Sequence, residues 1–152
     1  MKKIIALVLA AVLVLGMASA VTAKAEEKTY TVGICQLVQH AALDAATEGF
    51  MDALTEKLGD NVKFDLQNAQ GESTTCSTIV TGFVANEYDL IMANATPALQ
   101  AASAATADIP ILGTSVTEYG VALDIDDFTG TVGGNVSGTS DLAPLDQQAS
   151  MI

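Results

Sequence analysis

Three short polar segments, each following an apolar run, carry the side chains best suited to chemistry in this chain. They are residues 36–40 (QLVQH), 94–97 (NATP) and 114–117 (TSVT). Their amide, imidazole and hydroxyl groups donate and accept hydrogen bonds, but no nucleophile is paired with a base in any of them. The residue types therefore favour a site that binds a small molecule over one that transforms it.

Several other kinds of chemistry are disfavoured by the composition. The chain has one His, no G-x-S-x-G elbow and no paired carboxylates at the ends of strands, so we do not expect an enzyme. We expect no metal, because Cys and His are not closely spaced, and no cofactor, because no phosphate-binding glycine motif is present. Six Lys, no Arg and eighteen acids give a formal charge of −12, which leaves no basic surface for nucleic acid.

The first polar segment lies between a strand pattern and a helix pattern. Residues 31–35 form an apolar run that predicts a strand buried on both faces. A helix is then predicted from Ala41 to a stop at Gly59. Apolar residues recur along it at three- and four-residue steps, at Leu43, Ala46, Phe50, Leu54 and Leu58. Strand, polar corner and helix make the first half of a βαβ unit, in which ligands sit at the carboxyl ends of the strands.

The same pattern continues along the chain. It predicts a strand at 62–67, a helix capped by Ser73 or Thr74, a strand at 89–93, a helix at 98–107 and a strand at 111–114. Polar and apolar residues alternate at 62–67, which indicates an edge strand with one wet face. Thr96 is expected to cap the helix at 98–107, with Pro97 at its first position.

These repeats predict an α/β fold: a three-layer open parallel sheet in the order 2-1-3-4. This order creates a switch point beside strand one, so we expect a cleft between residues 36–40 and 94–97, with 114–117 on its rim. Beyond Thr117 the pattern weakens to a loop, with a short strand at 135–137 and a helix near Pro144.

The first 25 residues have the pattern of a secretory signal peptide. Lys2 and Lys3 precede an uncharged apolar run, and two A-x-A cleavage sites follow at 18–20 and 23–25. An uncleaved membrane anchor is the alternative interpretation. Cleavage after Ala25 would make this an exported protein whose folded part is residues 26–152.

Export raises the question of a disulfide between Cys35 and Cys76. In an oxidising compartment such a pair can form a bridge. The alternative is that both are small buried residues that do not meet, because sequence alone does not give the Cα separation that a bridge requires.

Five segments in order give the chain a resemblance to a known family. They are residues 36–40, 68–71 (NAQG), 95–98 (ATPA), 109–110 (IP) and 138–141 (GTSD). The chain resembles the substrate-binding proteins of ABC importers, in the branch associated with tryptophan and tyrosine uptake. The resemblance implies a lobe like that of a type I periplasmic binding protein. Family members have two such lobes, and residues 26–152 would be the first, with the second lobe absent.

The resemblance implies an amino acid ligand, an ABC permease partner in the membrane and a location outside the cell. A ligand carboxylate would suit the helix starts near Ala41, Pro97 and Pro144. Residues expected at the ligand are Gln39, His40, Asn94, Thr96, Ser115, Thr117, Thr139, Ser140 and Asp141. Asp141 would pair with the ligand ammonium, cap the helix that it precedes, or do both.

Two questions stay open at this point, the role of Tyr119 and the role of the whole chain. Tyr119 would either stack on an aromatic ligand or lie at the surface of a loop tip. The chain would serve either as the binding component of an importer or as an extracellular sensory domain of the same fold. Two features differ from the family pattern: Glu118-Tyr119 stands where Asp-Pro is common, and the lipid-carrying Cys of many members is missing.

Overall fold

The computed structural model describes residues 28–143 and 149–150. The predicted signal peptide and the start of the predicted helix at Pro144 lie outside the described residues. Within residues 28–143 the chain forms five strands, four α-helices and a 3-10 helix at Gly59–Asn61. In chain order the strands and α-helices are β1 (Tyr30–Gln36), α1 (Ala41–Leu58), β2 (Val62–Asn68), α2 (Ser73–Ala85), β3 (Leu90–Asn94), α3 (Thr96–Ala105), β4 (Ile111–Val116), α4 (Tyr119–Ala122) and β5 (Val136–Ser140).

The strands form one parallel sheet in the order β2-β1-β3-β4-β5. The predicted order 2-1-3-4 is confirmed, and the structure adds a fifth strand beside β4. The short strand expected at 135–137 is longer than predicted, because pairing with β4 carries it on to Ser140. Each helical crossover returns the chain to the same end of the sheet, so every strand runs in one direction.

Helix α1 forms as its periodicity predicts, and local groups define its two ends. At the start, His40 Nδ1 accepts a hydrogen bond from the Ala42 amide at 3.2 Å. At the end, Gly59 adopts φ +55°, a left-handed conformation that glycine allows without strain. The one fully buried residue of this helix is Thr47, which is not part of the predicted apolar stripe.

Two predicted helix caps are wrong. Ser73 and Thr74 lie inside α2, and Glu72 occupies the N-cap position without a side-chain hydrogen bond to the helix. Helix α3 begins at Thr96 itself, with Ala95 at the N-cap. In both cases the backbone turns into the helix one residue earlier than the hydroxyl-bearing residue, so the hydroxyl cannot reach the free amides that a cap serves.

Helices cover both faces of the sheet, as a three-layer fold requires. On one face α2 and α3 pack against β1, β3 and β4 in a large buried cluster that includes Phe83, Ile91 and Leu99. On the other face α1 packs over a smaller buried cluster of Val32, Ile34 and Met92. Strand β2 lies at the sheet edge, as predicted, but Leu66 on its apolar face is half exposed, so exposure is not confined to the polar face.

Tyr119 lies in the short helix α4 and is only 6% exposed. Its hydroxyl donates to the Thr139 carbonyl at 3.2 Å, and its ring packs over the facing glycines Gly113 of β4 and Gly138 of β5. Burial raises the pKa of this phenol above its usual value. The prediction of a residue at a loop tip is therefore wrong, because a tyrosine fills the space that two glycines leave open on the sheet.

Candidate functional site

The carboxyl ends of the five strands share one edge of the sheet, and the residues there are polar. Gln36 of β1 is in register with Asn68 of β2 and with Asn94 of β3. Asn94 is in register with Thr114 of β4, and Thr114 receives a hydrogen bond at 3.4 Å from the Thr139 hydroxyl of β5. We call this row of five residues the carboxyl rim. It places amide and hydroxyl groups side by side across the whole sheet.

The turn after β1 is fixed to the neighbouring strand exits by backbone hydrogen bonds. The Leu37 amide donates to the Asn94 carbonyl at 3.2 Å, and the Gly71 amide donates to the Leu37 carbonyl at 2.8 Å. Beyond Leu37, the predicted ligand residues Gln39 and His40 are exposed above the rim. His40 also caps α1, so the imidazole already has one hydrogen-bonding role within the protein.

Asn94 differs from the other predicted ligand residues because its side chain has no exposed surface. Its amide nitrogen donates to the Leu43 carbonyl at 2.8 Å and to the Thr47 hydroxyl at 2.9 Å, both in α1. The Asn94 amide is therefore a buried member of the rim that links β3 to α1 and does not face solvent. Among the described residues its Oδ1 atom is buried without a hydrogen-bond partner.

Two strained backbone positions lie at the exits of β3 and β4. Ala95 has φ +91° and ψ 159°, a region that almost only glycine occupies, and its amide donates to the Thr114 carbonyl at 3.0 Å. Ser115 has φ +55°, where the pairing of β4 with β5 shifts its register. Strain of this kind persists only where surrounding contacts hold it, and it is concentrated at binding sites.

The remaining predicted residues lie at the exits of β3, β4 and β5. Thr96 opens α3, and Thr117 follows β4 with its carbonyl accepting a hydrogen bond at 2.7 Å from the Ser140 hydroxyl. The Asp141 amide donates to the Val116 carbonyl at 3.1 Å, and its carboxylate side chain is exposed. The structure thus brings all nine predicted residues to one edge of the sheet. Their contact with a ligand stays a prediction.

Two recesses lie beside β5, and neither is lined by residues 36–40 or 94–97, between which the cleft was predicted. One, of about 530 Å³, lies between β5 and the segment that follows α4, and Thr117 and Ser140 are among its lining residues. The other, of about 380 Å³, lies between α1 and the ends of β4 and β5, with Phe50 and Thr139 in its wall. Both volumes fall within the range of pockets that hold small molecules.

Glu118 closes one side of the larger recess by capping α4. Its two carboxylate oxygens accept from the amides of Gly120 at 2.9 Å and Val121 at 2.6 Å. In the sequence, Glu118 stands out only because it occupies a position where the family pattern has Asp-Pro. A carboxylate directly before a short helix is the signal that would have identified it as a cap.

The two cysteines lie in the same buried cluster behind the rim. Cys35 and Cys76 are both fully buried free thiols. Burial raises the pKa of both thiols. The disulfide and the alternative of two buried residues that do not pair both stay predictions. Within residues 28–143 and 149–150, no group of three potential metal ligands is present.

An open parallel sheet with helices on both faces and polar strand exits along one edge defines the class, an α/β lobe, and folds of this kind bind ligands outside the carboxyl ends of their strands. The predicted fold, a lobe of the type I periplasmic-binding-protein kind, is confirmed. The chain belongs to the family of ABC transporter substrate binding proteins, since the model of that family matches residues 31–152.

Comparison with individual proteins agrees with this assignment. A tyrosine-binding protein of Clostridioides difficile (strain R20291) is 41% identical over 169 aligned residues, which include 99% of this chain and 48% of the relative. The ligand-free, open structure of a substrate-binding protein with adhesive properties from Clostridium difficile is 42% identical, with a TM-score of 0.74. That likeness covers 81% of this chain and 42% of the other.

A third similar protein has a bound ligand. The structure of an ABC domain in complex with L-Trp from Streptococcus pneumonia is 34% identical, with a TM-score of 0.74, and the likeness covers 82% of this chain and 43% of the other. The chain thus spans about half the length of the relatives that it matches. In the part of the chain that the structure describes, no helix is both long enough and apolar enough to span a membrane.

Proposed function

We propose that this protein is the exported solute-binding component of an ABC importer and that it binds an amino acid with an aromatic side chain. The observation that carries the proposal is the carboxyl rim, where five strands of a substrate-binding family lobe present hydrogen-bonding groups at one edge. Relatives described as tyrosine-binding and as a complex with L-Trp support the aromatic class.

The exits of β1, β3, β4 and β5 supply groups that suit an amino acid. The N-terminal end of α3 presents backbone amides and a helix dipole that favour the ligand carboxylate. The hydroxyls of Thr96, Ser115 and Thr117 donate further hydrogen bonds, and the exposed Asp141 carboxylate pairs with the ligand ammonium. Gln39 and His40 form the wall above β1. This is binding chemistry, and no group in it is assigned a catalytic role.

Residues 26–152 would form the first of two lobes, and the ligand would be held between them. The half-length match to each relative supports this division. The partner that receives the ligand would be an ABC permease in the membrane. The pattern of residues 1–25 supports export and cleavage of a signal peptide.

Thermal unfolding with a panel of amino acids tests the proposal on the protein expressed from its complete reading frame. A ligand at a hundredfold excess over its Kd stabilises the folded state by roughly 2.7 kcal/mol, a shift of several degrees in Tm. We expect L-Tyr, L-Trp or L-Phe to raise Tm and D-Tyr, L-Glu and L-Leu to have little effect.

A matched pair of variants places the site. Thr117→Val, directly after β4, should reduce the ligand-induced shift in Tm, whereas Thr81→Val should leave it unchanged. Thr81 is an exposed α2 residue whose hydroxyl donates only within its own helix, to the Ser77 carbonyl at 2.7 Å. If no amino acid changes Tm, the amino acid assignment fails. If both variants behave alike, the ligand does not contact Thr117 and the site is not at the exit of β4.

A further inference from the structure

The most buried residue of α1 is a threonine. Thr47 is 2% exposed, whereas the apolar residues Phe50 and Leu54 of the same helix remain partly exposed. A buried hydroxyl destabilises a fold unless it is hydrogen-bonded, so an apolar side chain would be expected at this position. The contacts of Thr47 explain why a hydroxyl stands there.

Both hydrogen bonds of Thr47 link α1 to the exits of two strands. Its hydroxyl donates to Gln36 Oε1 at 2.7 Å and accepts from Asn94 Nδ2 at 2.9 Å. Gln36 and Asn94 are the last residues of β1 and β3 and are in register with each other. The helix is thereby hydrogen-bonded to the two adjacent strand ends from which the proposed ligand site is built.

The direction of every hydrogen bond in this group is fixed. Gln36 Nε2 donates to Asp44 Oδ1 at 2.6 Å and to the Val38 carbonyl at 3.0 Å. Both partners only accept hydrogen bonds, so the Gln36 amide cannot be reversed without placing oxygen against oxygen. Because Gln36 Oε1 must then accept from Thr47, the Thr47 hydroxyl must accept from Asn94. A single pattern of donors and acceptors therefore fits this group, and Asn94 Oδ1 is the atom that it leaves without a partner.

We propose that Thr47 is a positioning residue that holds the turn after β1 in the shape that presents Gln39 and His40 at the carboxyl rim. The hydroxyl orients the Gln36 amide, and that amide holds the Val38 carbonyl in the middle of the turn. This proposal rests on the proposed function for its meaning, but the conformation of the turn can be measured without a ligand.

Hydrogen exchange on the protein expressed from its complete reading frame tests the proposal. Thr47→Val removes the hydroxyl while keeping the shape, and we expect amides of residues 37–41 to exchange about tenfold faster, because two buried groups lose a partner. Thr47→Ser retains the hydroxyl and should exchange like the unchanged protein. Thr55→Val is the control, since the exposed Thr55 hydroxyl donates only to the Met51 carbonyl at 2.8 Å within α1.

The outcomes separate positioning from general stability. If Thr47→Val speeds exchange equally in strand β4, the effect is global and the proposal is overturned. It is also overturned if Thr47→Ser exchanges as fast as Thr47→Val, or if the turn is unchanged in both.

A second readout is the affinity for L-Tyr and L-Trp by titration calorimetry. We expect Thr47→Val to raise Kd about fivefold or more and Thr47→Ser to stay within about twofold. An unaltered Kd in Thr47→Val would show that the turn does not serve binding. If the unchanged protein binds neither amino acid, the proposed function fails while the exchange result still decides whether Thr47 positions the turn.

Discussion

Replacing Ala95 by glycine is expected to stabilise the protein, although most alanine-to-glycine changes destabilise. Ala95 joins β3 to α3 with φ +91° and ψ 159°. A side chain in this region of backbone space costs about 1–3 kcal/mol, and glycine removes that strain. Glycine also gives the unfolded chain more freedom, which costs about 0.4–1 kcal/mol. Because the alanine methyl is partly exposed, little packing is lost.

The net expectation for Ala95→Gly is a gain of about 0.5–2 kcal/mol in the free energy of unfolding. Urea unfolding followed by circular dichroism measures it, as a higher midpoint with an unchanged m-value. The control is Ala45→Gly. Ala45 is exposed in the interior of α1, where the same substitution should destabilise by about 1 kcal/mol.

The two substitutions are chemically identical, so their opposite signs isolate the effect of backbone conformation. If Ala95→Gly destabilises as much as Ala45→Gly, the backbone at Ala95 is not strained and the reasoning is refuted. A changed m-value would instead mean that the substitution altered the compactness of a state, and the prediction would also fail.

Three further predictions follow from packing and charge. Gly113→Ala should lower the free energy of unfolding by about 1–3 kcal/mol, because the added Cβ would lie 2.5 Å from the Tyr119 hydroxyl. Gly82→Ala, in the interior of α2, should raise the free energy of unfolding by about 0.5–1 kcal/mol, because no atom outside the neighbouring helix backbone lies within 4 Å of the added Cβ. Equal shifts in Tm for the two variants would contradict the packing. Asp89 accepts hydrogen bonds from the Lys28 ammonium and from the Thr31 amide of β1, and these hold the pKa of its carboxyl below the usual value. Asp89 therefore contributes stability above the unfolded pKa of about 3.9, and the advantage over Asp89→Asn in denaturant titrations should disappear as the pH falls through the lower folded pKa. A difference that persists under strongly acidic conditions would count against the pairing. Because burial raises the pKa of Cys35 and Cys76, neither thiol of the reduced, folded protein should react with a maleimide at neutral pH, and both should react after unfolding; intact mass measures this, and modification of the folded protein would contradict the burial.

Much of the architecture could be predicted from local patterns. The apolar run of β1, the alternation of β2 and the apolar stripe of α1 each reflect a period that secondary structure imposes on one segment at a time. The same patterns gave the strand order, because crossovers of one hand leave few arrangements for successive βα repeats. The polar segments after β1, β3 and β4 could then be placed at a common edge before any contact was known.

Individual side-chain roles were less predictable. Asn94 and Tyr119 both had residue types suited to a ligand, yet the fold buries one under α1 and packs the other over two glycines. Thr47 has no local signal at all, since its partners Gln36 and Asn94 lie 11 and 47 positions away in the chain. Such partners are known only when helix and sheet are packed together.

The sequence by itself determined the kind of fold, the strand order and the edge at which polar residues gather, because those depend on periodicity within short segments and on the handedness of the chain. Only the tertiary structure decided which polar groups are exposed at the carboxyl rim and which hold it in place. That division depends on distances between residues far apart in the chain, and the dense packing of the interior fixes those distances.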